Sequence, residues 1–303
     1  MTPTVSLVVL SHNRPDFLRE ALRSVAAQTH PPAEVLVVDN LSPRSGEVAA
    51  VVSEFPGVRL LAQGCNRGFT GGMNAGLRAA AGGYVVLSED DIVLDPGAVA
   101  AVVGHLAAHP GVGVAGGLML NRSDGTVRCA GGRVALGTRF LLEVIGAGAA
   151  DDGRFADPFP VTYLPGAFLA ARREVWGRLG GFRDRYFLYM EDVDLCLRAA
   201  AAGYRLDVVP AARVWHADPP PSDRVPGWLA RLKARNLLRL YLLNAPARVL
   251  PGFLARYAGW GPAVDMARGR RAGWYALAAA ARTAAELPAL ARERWAAGGC
   301  PRV

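Results

Sequence analysis

Short apolar runs alternate with helical periodicities through the first two thirds of the chain. Val5-Ser-Leu-Val-Val-Leu10 is β-branched and compact, the pattern of a buried parallel strand. Pro15 then opens a helix at its first turn, with Phe17, Leu18, Ala21, Leu22 and Val25 on one face. Similar runs predict strands at 35–38, 58–61, 84–87 and 112–115, with a Gly-rich turn and a helix between 58–61 and 84–87. Strands and helices alternating at such short spacing imply β-α-β units, hence an α/β fold whose central sheet is mostly parallel and flanked by helices. Ligands of such sheets bind beyond the carboxyl ends of the strands. Ser11-His12-Asn13, Asp39-Asn40 and Ser88 to Asp91 follow three of the runs and are predicted to line one crevice.

From Gly116 to Pro160 glycines and turn residues predict hairpins and loops. A strand follows at 162–170, then a short helix from Glu174 to Leu179 that Gly180-Gly181 stops. Another helix runs from Glu191 to about Ala202, and strand residues 206–209 are followed closely by Val214-Trp215-His216. Pro219-Pro220-Pro221 is the clearest break, and divides a domain at 1–218 from a helical extension at 219–303. In that extension Trp228, Leu229, Leu232, Leu237, Leu238, Leu240, Tyr241 and Leu242 alternate with Arg231, Lys233, Arg235 and Arg239. The pattern suits a membrane interface, and equally a helix that packs on protein with its cations in water.

At 303 residues, 51% of them hydrophobic and 20% charged, the chain can bury a sizeable core and is not disordered. Cys65, Cys129, Cys196 and Cys300 form no C-x-x-C pair, which argues against a disulfide framework or structural zinc and suits a reducing cytoplasm. The N-terminal apolar run is too short for a signal peptide and lacks a basic flank. No apolar stretch is long enough for a spanning helix, so the expected location is cytoplasmic, at most peripheral at the inner membrane face. The net charge of +8 is uneven: from Arg224 onward there are 14 Lys/Arg against 3 Asp/Glu, leaving the rest of the chain at −3. A basic, aromatic-bearing tail reads as a surface for anionic lipid, with nucleic acid the less favoured partner.

Candidate chemistry concentrates in a few places. Glu191-Asp192 opens a helix, where orphan N–H groups and the dipole favour an ionised carboxylate; such a pair is either a helix cap or a fixed general base. Glu89-Asp90-Asp91 is either a solvated acidic turn or, placed after a strand, a site for a hard cation such as Mg²⁺ or Mn²⁺. His216 is structural unless a metal lies in the same crevice, where a neutral imidazole would complete its coordination. The turn Asn66-Arg-Gly-Phe-Thr-Gly-Gly-Met-Asn-Ala-Gly76 allows close backbone approach to a nucleotide but is neither a P-loop nor a dinucleotide fingerprint. Asp39 either caps the next turn or accepts hydrogen bonds from a ribose or base.

Together these pieces resemble the family 2 glycosyltransferases of the GT-A fold, particularly the bacterial rhamnosyltransferase-like branch. The likeness covers roughly residues 4 to 217 and includes the opening Val8-Val-Leu-Ser-His-Asn-Arg-Pro15, Val37-Val-Asp-Asn40, the 66–76 turn and Glu89-Asp90-Asp91 with Pro96-Gly97. Its most specific part is Gly180-Gly-Phe-Arg-Asp-Arg-Tyr-Phe-Leu-Tyr-Met-Glu-Asp-Val-Asp-Leu-Cys-Leu-Arg198, followed by Gly203-Tyr204 and Trp215-His216. The resemblance implies an inverting, metal-dependent transfer from a nucleotide-diphosphate sugar, dTDP-rhamnose or a UDP-sugar, to a hydroxyl acceptor in cell-surface polysaccharide or glycolipid assembly. It implies that Ser11, Asn13, Arg14 and Asp39 hold the nucleotide, with Asn66, Gly68 and Asn74 nearby and Glu89 and Asp90 alongside. It also makes Asp91 the main ligand of Mn²⁺ or Mg²⁺, with Glu89 and His216, and Asp192 the base, with Glu191 its neighbour. Two departures stand out. Many relatives carry Asn-Pro-Asp at 89–91, which leaves the division of roles there open, and the family's Phe-Asp-Glu is Phe182-Arg183-Asp184, which bears on acceptor contacts.

The alternatives are transfer to a small natural product, a sugar-nucleotide nucleotidyltransferase, and a non-catalytic nucleotide- or glycan-binding protein. Ser11-His12-Asn13-Arg14-Pro15 is not the Gly-rich basic loop that a nucleotidyltransferase places after its first strand. The presence of every expected acidic residue disfavours the binding protein.

Overall fold

A computed structural model describes residues 4–217, 226–268 and 270–296. The Pro219-Pro220-Pro221 break and Cys300 lie outside the described residues. The chain divides into two units, the first made of 1–133, 143–187 and 191–218, the second of 134–142, 188–190 and 219–303.

The first unit opens with β1 (Val5–Ser11), α1 (Pro15–Ala26), β2 (Glu34–Asp39), α2 (Ser45–Ser53), β3 (Val58–Ala62), α3 (Gly68–Ala79) and β4 (Tyr84–Glu89). It continues through β5 (Ile92–Leu94), α4 (Ala98–Ala108), β6 (Val112–Asn121) and β7 (Val127–Cys129). A hairpin of β8 (Gly132–Leu136) and β9 (Phe140–Val144) follows in the chain, its residues 134–142 counted with the second unit; the first unit resumes with β10 (Phe159–Val161), β11 (Phe168–Arg172), α5 (Arg173–Leu179), α6 (Glu191–Ala201) and β12 (Arg205–His216). The main sheet has the order β10-β12-β6-β11-β4-β1-β2-β3. β3, β2, β1, β4, β6 and β12 run one way; β11 and β10 are reversed. Six strands therefore deliver their carboxyl ends, and β11 its amino end, to the same edge of the sheet.

The apolar runs form the core as their pattern dictates. Val5, Leu7, Val8 and Val9 of β1, Leu36 to Val38 of β2 and Val85 to Leu87 of β4 are buried. In α1 the inward row is Leu18, Ala21, Leu22 and Val25, spaced i, i+3, i+4, i+7. Phe17, expected on that face, precedes the row and is 38% exposed. The expected strand at 162–170 is divided: Pro165-Gly166 interrupts it, β11 starts only at Phe168, and Tyr163 makes an isolated bridge to Gly132. The runs at 206–209 and 214–216 instead join into β12, with the register shifting between Val209 and Arg213 around Pro210.

The second unit contains α7 (Gly227–Asn244), α8 (Leu250–Leu254), α9 (Gly261–Ala267), α10 (Ala272–Ala284) and α11 (Leu287–Ala296). Leu238, Tyr241, Ala245 and Phe253 form its core with Leu136 and Phe140 around them, and Tyr241 stacks on Phe253 at 3.5 Å. Arg239 does not face water: it is buried, and its Nε donates to Glu286 Oε2 at 2.8 Å.

Candidate active site

The carboxyl edge of the sheet collects the acidic residues. Ser11 pairs with Asp39 across β1 and β2, and Leu10 with Glu89 across β1 and β4, so the three strand exits lie side by side. Asp90 is turned toward β1: its Oδ2 accepts from Ser11 Oγ at 2.8 Å and from the His12 N–H at 3.1 Å. Burial pushes Asp90 up to about 7, against the opposing pull of Arg14 and Ser11. Asp91 is turned the other way. Its Oδ2 accepts from Arg14, while its Oδ1 is buried without a hydrogen-bond partner.

His216 lies beside that orphaned oxygen because β12 pairs with β5, setting His216 opposite Ile92, and the Ala217 N–H donates to the Asp91 carbonyl at 3.0 Å. Nδ1 of His216 donates to the Ala217 carbonyl at 2.7 Å, which leaves Nε2 as the lone-pair nitrogen, 4.0 Å from Asp91 Oδ1. Burial lowers the His216 pKa, so the neutral ring is favoured. Among the described residues no three His, Cys, Asp or Glu side chains form a complete metal cage. The unpartnered Asp91 Oδ1 and the neutral His216 Nε2 are nevertheless donors of the kind that would suit a divalent cation. Glu89 is pushed up to about 8, chiefly by burial, with the charges of Asp91 and Asp90 adding to it.

Asp192 comes to the same edge through β11. The Glu89 N–H donates to the Ala167 carbonyl at 3.2 Å, and the neighbouring Gly166 is so close to α6 that a Cβ there would lie 3.6 Å from Asp192 Cβ. The charge of Asp192 acts on Glu89 and that of Glu89 on Glu191, so both acidic motifs share one electrostatic field. Asp192 Oδ2 accepts from the buried Tyr163 hydroxyl at 2.8 Å, and Oδ1 from the Val193 N–H at 2.8 Å. The helix start favours an ionised carboxylate; desolvation opposes it and raises the Asp192 pKa despite those hydrogen bonds. Glu191 is raised well above the usual range by burial and then by Asp192, and its Oε2 has no hydrogen-bond partner.

A model of the family described as "Glycosyltransferase like family 2" matches residues 3–237. The chain belongs to the family 2 glycosyltransferases. Over 237 residues this glycosyltransferase is 31% identical to the N-acetylglucosaminyl-diphospho-decaprenol L-rhamnosyltransferase of Mycobacterium tuberculosis, covering 71% of this chain and 76% of that one. Its fold is GT-A. GalNAc-T7, solved with UDP, GalNAc and Mn²⁺, superposes with a TM-score of 0.66 at 17% identity, over 87% of this chain and about half (51%) of that one. The mannosyltransferase PcManGT from Pyrobaculum calidifontis, solved with GDP-Man and Mn²⁺, gives 0.57 at 22% identity, over 98% and 80%.

In this glycosyltransferase the residues expected around the nucleotide are tied to one another. Asp39 Oδ1 accepts from the Ser42 N–H at 2.9 Å, and Ser42 Oγ accepts from the Asn13 N–H at 2.8 Å, holding Asn13 at a φ of 62°. Asn40 is the hub of the next layer: its Nδ2 donates to Asn66 Oδ1 at 3.1 Å and to the Gly68 carbonyl at 2.9 Å, and its Oδ1 accepts from the Arg67 N–H at 3.0 Å. Asn74 is engaged away from the strand exits. Its Nδ2 donates to the Phe182 carbonyl and to Asp184 Oδ1, both at 2.7 Å, and its Oδ1 accepts from the Phe182 N–H at 2.9 Å. The glycines of this turn serve packing first: a Cβ on Gly72 would lie 2.4 Å from Leu10 Cδ1, and one on Gly76 2.2 Å from Val8 Cγ1. Gly68, at a φ of +67°, abuts the Phe187 carbonyl in the same manner.

Tyr163 and Ser42 have no motif behind them, and Val37-Val-Asp-Asn40 gives no sign that Asn40 is a hub. Tyr163 reads as one aromatic in an apolar run, and its partner lies 29 residues further along.

Proposed function

We propose that this glycosyltransferase performs a metal-dependent, inverting transfer of a sugar, rhamnose in the first instance, from a nucleoside-diphosphate donor to a hydroxyl of a lipid-linked glycan acceptor. The observation that carries this is the meeting at one sheet edge of Asp91, with its orphaned Oδ1 facing His216 Nε2, and of Asp192, held by Tyr163. The kinship with a rhamnosyltransferase whose name specifies a diphospho-decaprenol acceptor supports the choice of donor and acceptor class.

Asp91 and His216 would hold the cation, which supplies neutralisation of the charge that grows on the diphosphate. Ser11, Asn13, Arg14, Asp39 and Asn66 border the space for the nucleotide. Arg14, paired with Asp91 and half-exposed, is free to exchange that carboxylate for a phosphate oxygen. The acceptor oxygen attacks the anomeric carbon on the face opposite the diphosphate. The new C–O bond forms as the old one breaks, the leaving diphosphate takes the electron pair, and Asp192 takes the acceptor proton. A carboxylate with a raised pKa suits this work, because a base is most effective when its pKa approaches the working pH.

The second unit supports docking on an anionic membrane face. It carries the basic excess of the chain together with Trp228, Trp260 and Trp274, each more than half exposed, while no described helix is long and apolar enough to cross a membrane. The experiment is a screen of nucleotide-sugars with a polyprenyl-diphosphate glycan, with and without Mn²⁺, in vesicles containing anionic or only zwitterionic lipid. Metal-dependent transfer that His216→Ala shifts to higher cation concentration is expected, with co-sedimentation on anionic vesicles alone. Pyrophosphate release from a nucleoside triphosphate in place of transfer would overturn the proposal.

A further inference from the structure

The segment that leads into Glu191-Asp192 is held in a conformation that side chains disfavour. The φ angles are 65° at Phe187, 68° at Tyr189 and 72° at Met190. Non-glycine residues stay in that region only where their surroundings hold them there, and such clusters gather at working sites. Phe187 is tied to Asp184 and Thr70 through its backbone, whereas the contacts that hold Leu188 and Tyr189 come from α7. Asn236, fully buried, directs its Nδ2 to two consecutive carbonyls, Leu188 at 2.9 Å and Tyr189 at 3.0 Å, using both amide hydrogens. Its Oδ1 accepts from Arg239 Nη1 at 3.3 Å, and Arg239 is fixed by Glu286. Three residues before Asn236 on the same helix, Lys233 sets its Nζ 4.1 Å from the centre of the Tyr189 ring.

An amide is an expensive occupant for a fully buried helix position. Asparagine is a poor helix former, and its polar group must be fully partnered to be tolerated there. Leu237, Leu238 and Leu240 are the ordinary residues for such a place. The amide is therefore explained by what it grips, a backbone turn ending one residue before α6.

We propose that Asn236 is a positioning residue for the transfer reaction: by gripping the Leu188 and Tyr189 carbonyls it fixes the turn from which the main chain delivers Asp192. This rests on Asp192 being the base, and the test separates the two. A misplacement of the base by about 1 Å costs on the order of a hundredfold in rate, which sets the scale of the effect.

In the full chain, Asn236→Ala and Asn236→Asp are compared with the parent for kcat, donor KM, and hydrogen exchange of the 187–192 amides. The expected result is a fall in kcat of roughly tenfold to a hundredfold with donor KM nearly unchanged, and faster exchange at 187–192. Asn236→Asp keeps an oxygen for Arg239 but has no hydrogens for the two carbonyls, so it is expected to behave like Asn236→Ala. Parental kcat in Asn236→Asp, or unaltered exchange at 187–192, would overturn the proposal, as would equal losses in kcat and donor affinity. Lys233→Ala alters only the edge of the grip and keeps the buried network, so it decides the matter should the Asn236 variants fold poorly; a smaller fall in kcat at constant donor KM is expected, and no change counts against. If Asp192→Asn proves active, the base assignment falls, while the exchange measurement still judges the grip by itself.

Discussion

Replacing Tyr163 by phenylalanine removes one oxygen and leaves the ring, and it bears directly on how Asp192, the proposed base, is tuned. Tyr163 is 9% exposed and its hydroxyl donates to Asp192 Oδ2 at 2.8 Å, a hydrogen bond to a group that must be ionised in its proposed role. Hydrogen bonds to charged groups contribute about 1.5–3 kcal/mol, and here the bond favours the ionised form, opposing the desolvation that raises the Asp192 pKa. Loss of about 1.4 kcal/mol is a tenfold change in an equilibrium, so Tyr163→Phe is expected to tighten proton binding at Asp192 by about tenfold or more. Besides Tyr163, the Val193 and Gly166 N–H groups favour the ionised form of Asp192 and stay in place in the variant, while the neighbouring carboxyls of Glu191 and Glu89 cannot replace the lost donor. A base works only when deprotonated. The acidic limb of the kcat–pH profile should therefore move to higher pH, while the rate on the alkaline plateau is retained. The assay is transfer rate against pH at saturating donor and acceptor and fixed cation concentration. An acidic limb that stays in place or moves to lower pH would refute the coupling between Tyr163 and the base, and a uniform loss at every pH would show that the hydroxyl serves the fold or the substrate instead.

Gly76→Ala is expected to lower the melting temperature: a helix gains about 1 kcal/mol from Gly to Ala, but a Cβ 2.2 Å from the buried Val8 overpacks the core at a cost of about 1–3 kcal/mol. Melting by calorimetry tests this, and a raised melting temperature would contradict the close packing of α3 on β1. In the metal-free protein Glu89 and Asp90 titrate at about 8 and about 7, above their unfolded values near 4, so the folded state holds their protons more tightly. Their contribution is fully present below about pH 4 and is lost as pH rises through about 7 to 8. Stability with a chelator present is thus expected to decline over that span, and Mn²⁺ with a nucleoside diphosphate to offset the decline; a flat profile in chelator would contradict it.

The legible parts of the fold are those where one physical signal dominates. β1, β2 and β4 are buried on both faces, so they read as continuous apolar runs, and their order with α1 and α3 gives the parallel half of the sheet. β11 carries the same kind of run, Phe168 to Ala171, yet lies antiparallel between β4 and β6. A buried run does not encode its direction. Phe17 illustrates the limit of counting faces by eye, since a residue one step outside the 3.6-residue row ends in solvent. At the site, Glu89-Asp90-Asp91 announces charge but not how it is shared. That depends on β1 offering Ser11 and His12 to Asp90, and on β12 bringing His216 to Asp91, contacts from residues more than 70 positions away. The 66–76 turn shows two signals superposed: Gly72 and Gly76 are demanded by the helix–sheet contact, while Asn66 and Gly68 face the Asn40 hub. At Asp192 the helix dipole favours ionisation while burial, invisible in the sequence, pushes the pKa up.

The most direct test of the account is a single variant, Asp192→Asn, followed by donor binding and transfer rate on the same preparation. Loss of transfer by roughly 10²- to 10⁴-fold, with metal-dependent donor binding kept, is the expected result, because the amide preserves shape and removes only the proton acceptor. Transfer at the parental rate would mean that some other group receives the acceptor proton, and that the meeting of Asp91 and Asp192 at the sheet edge has another purpose.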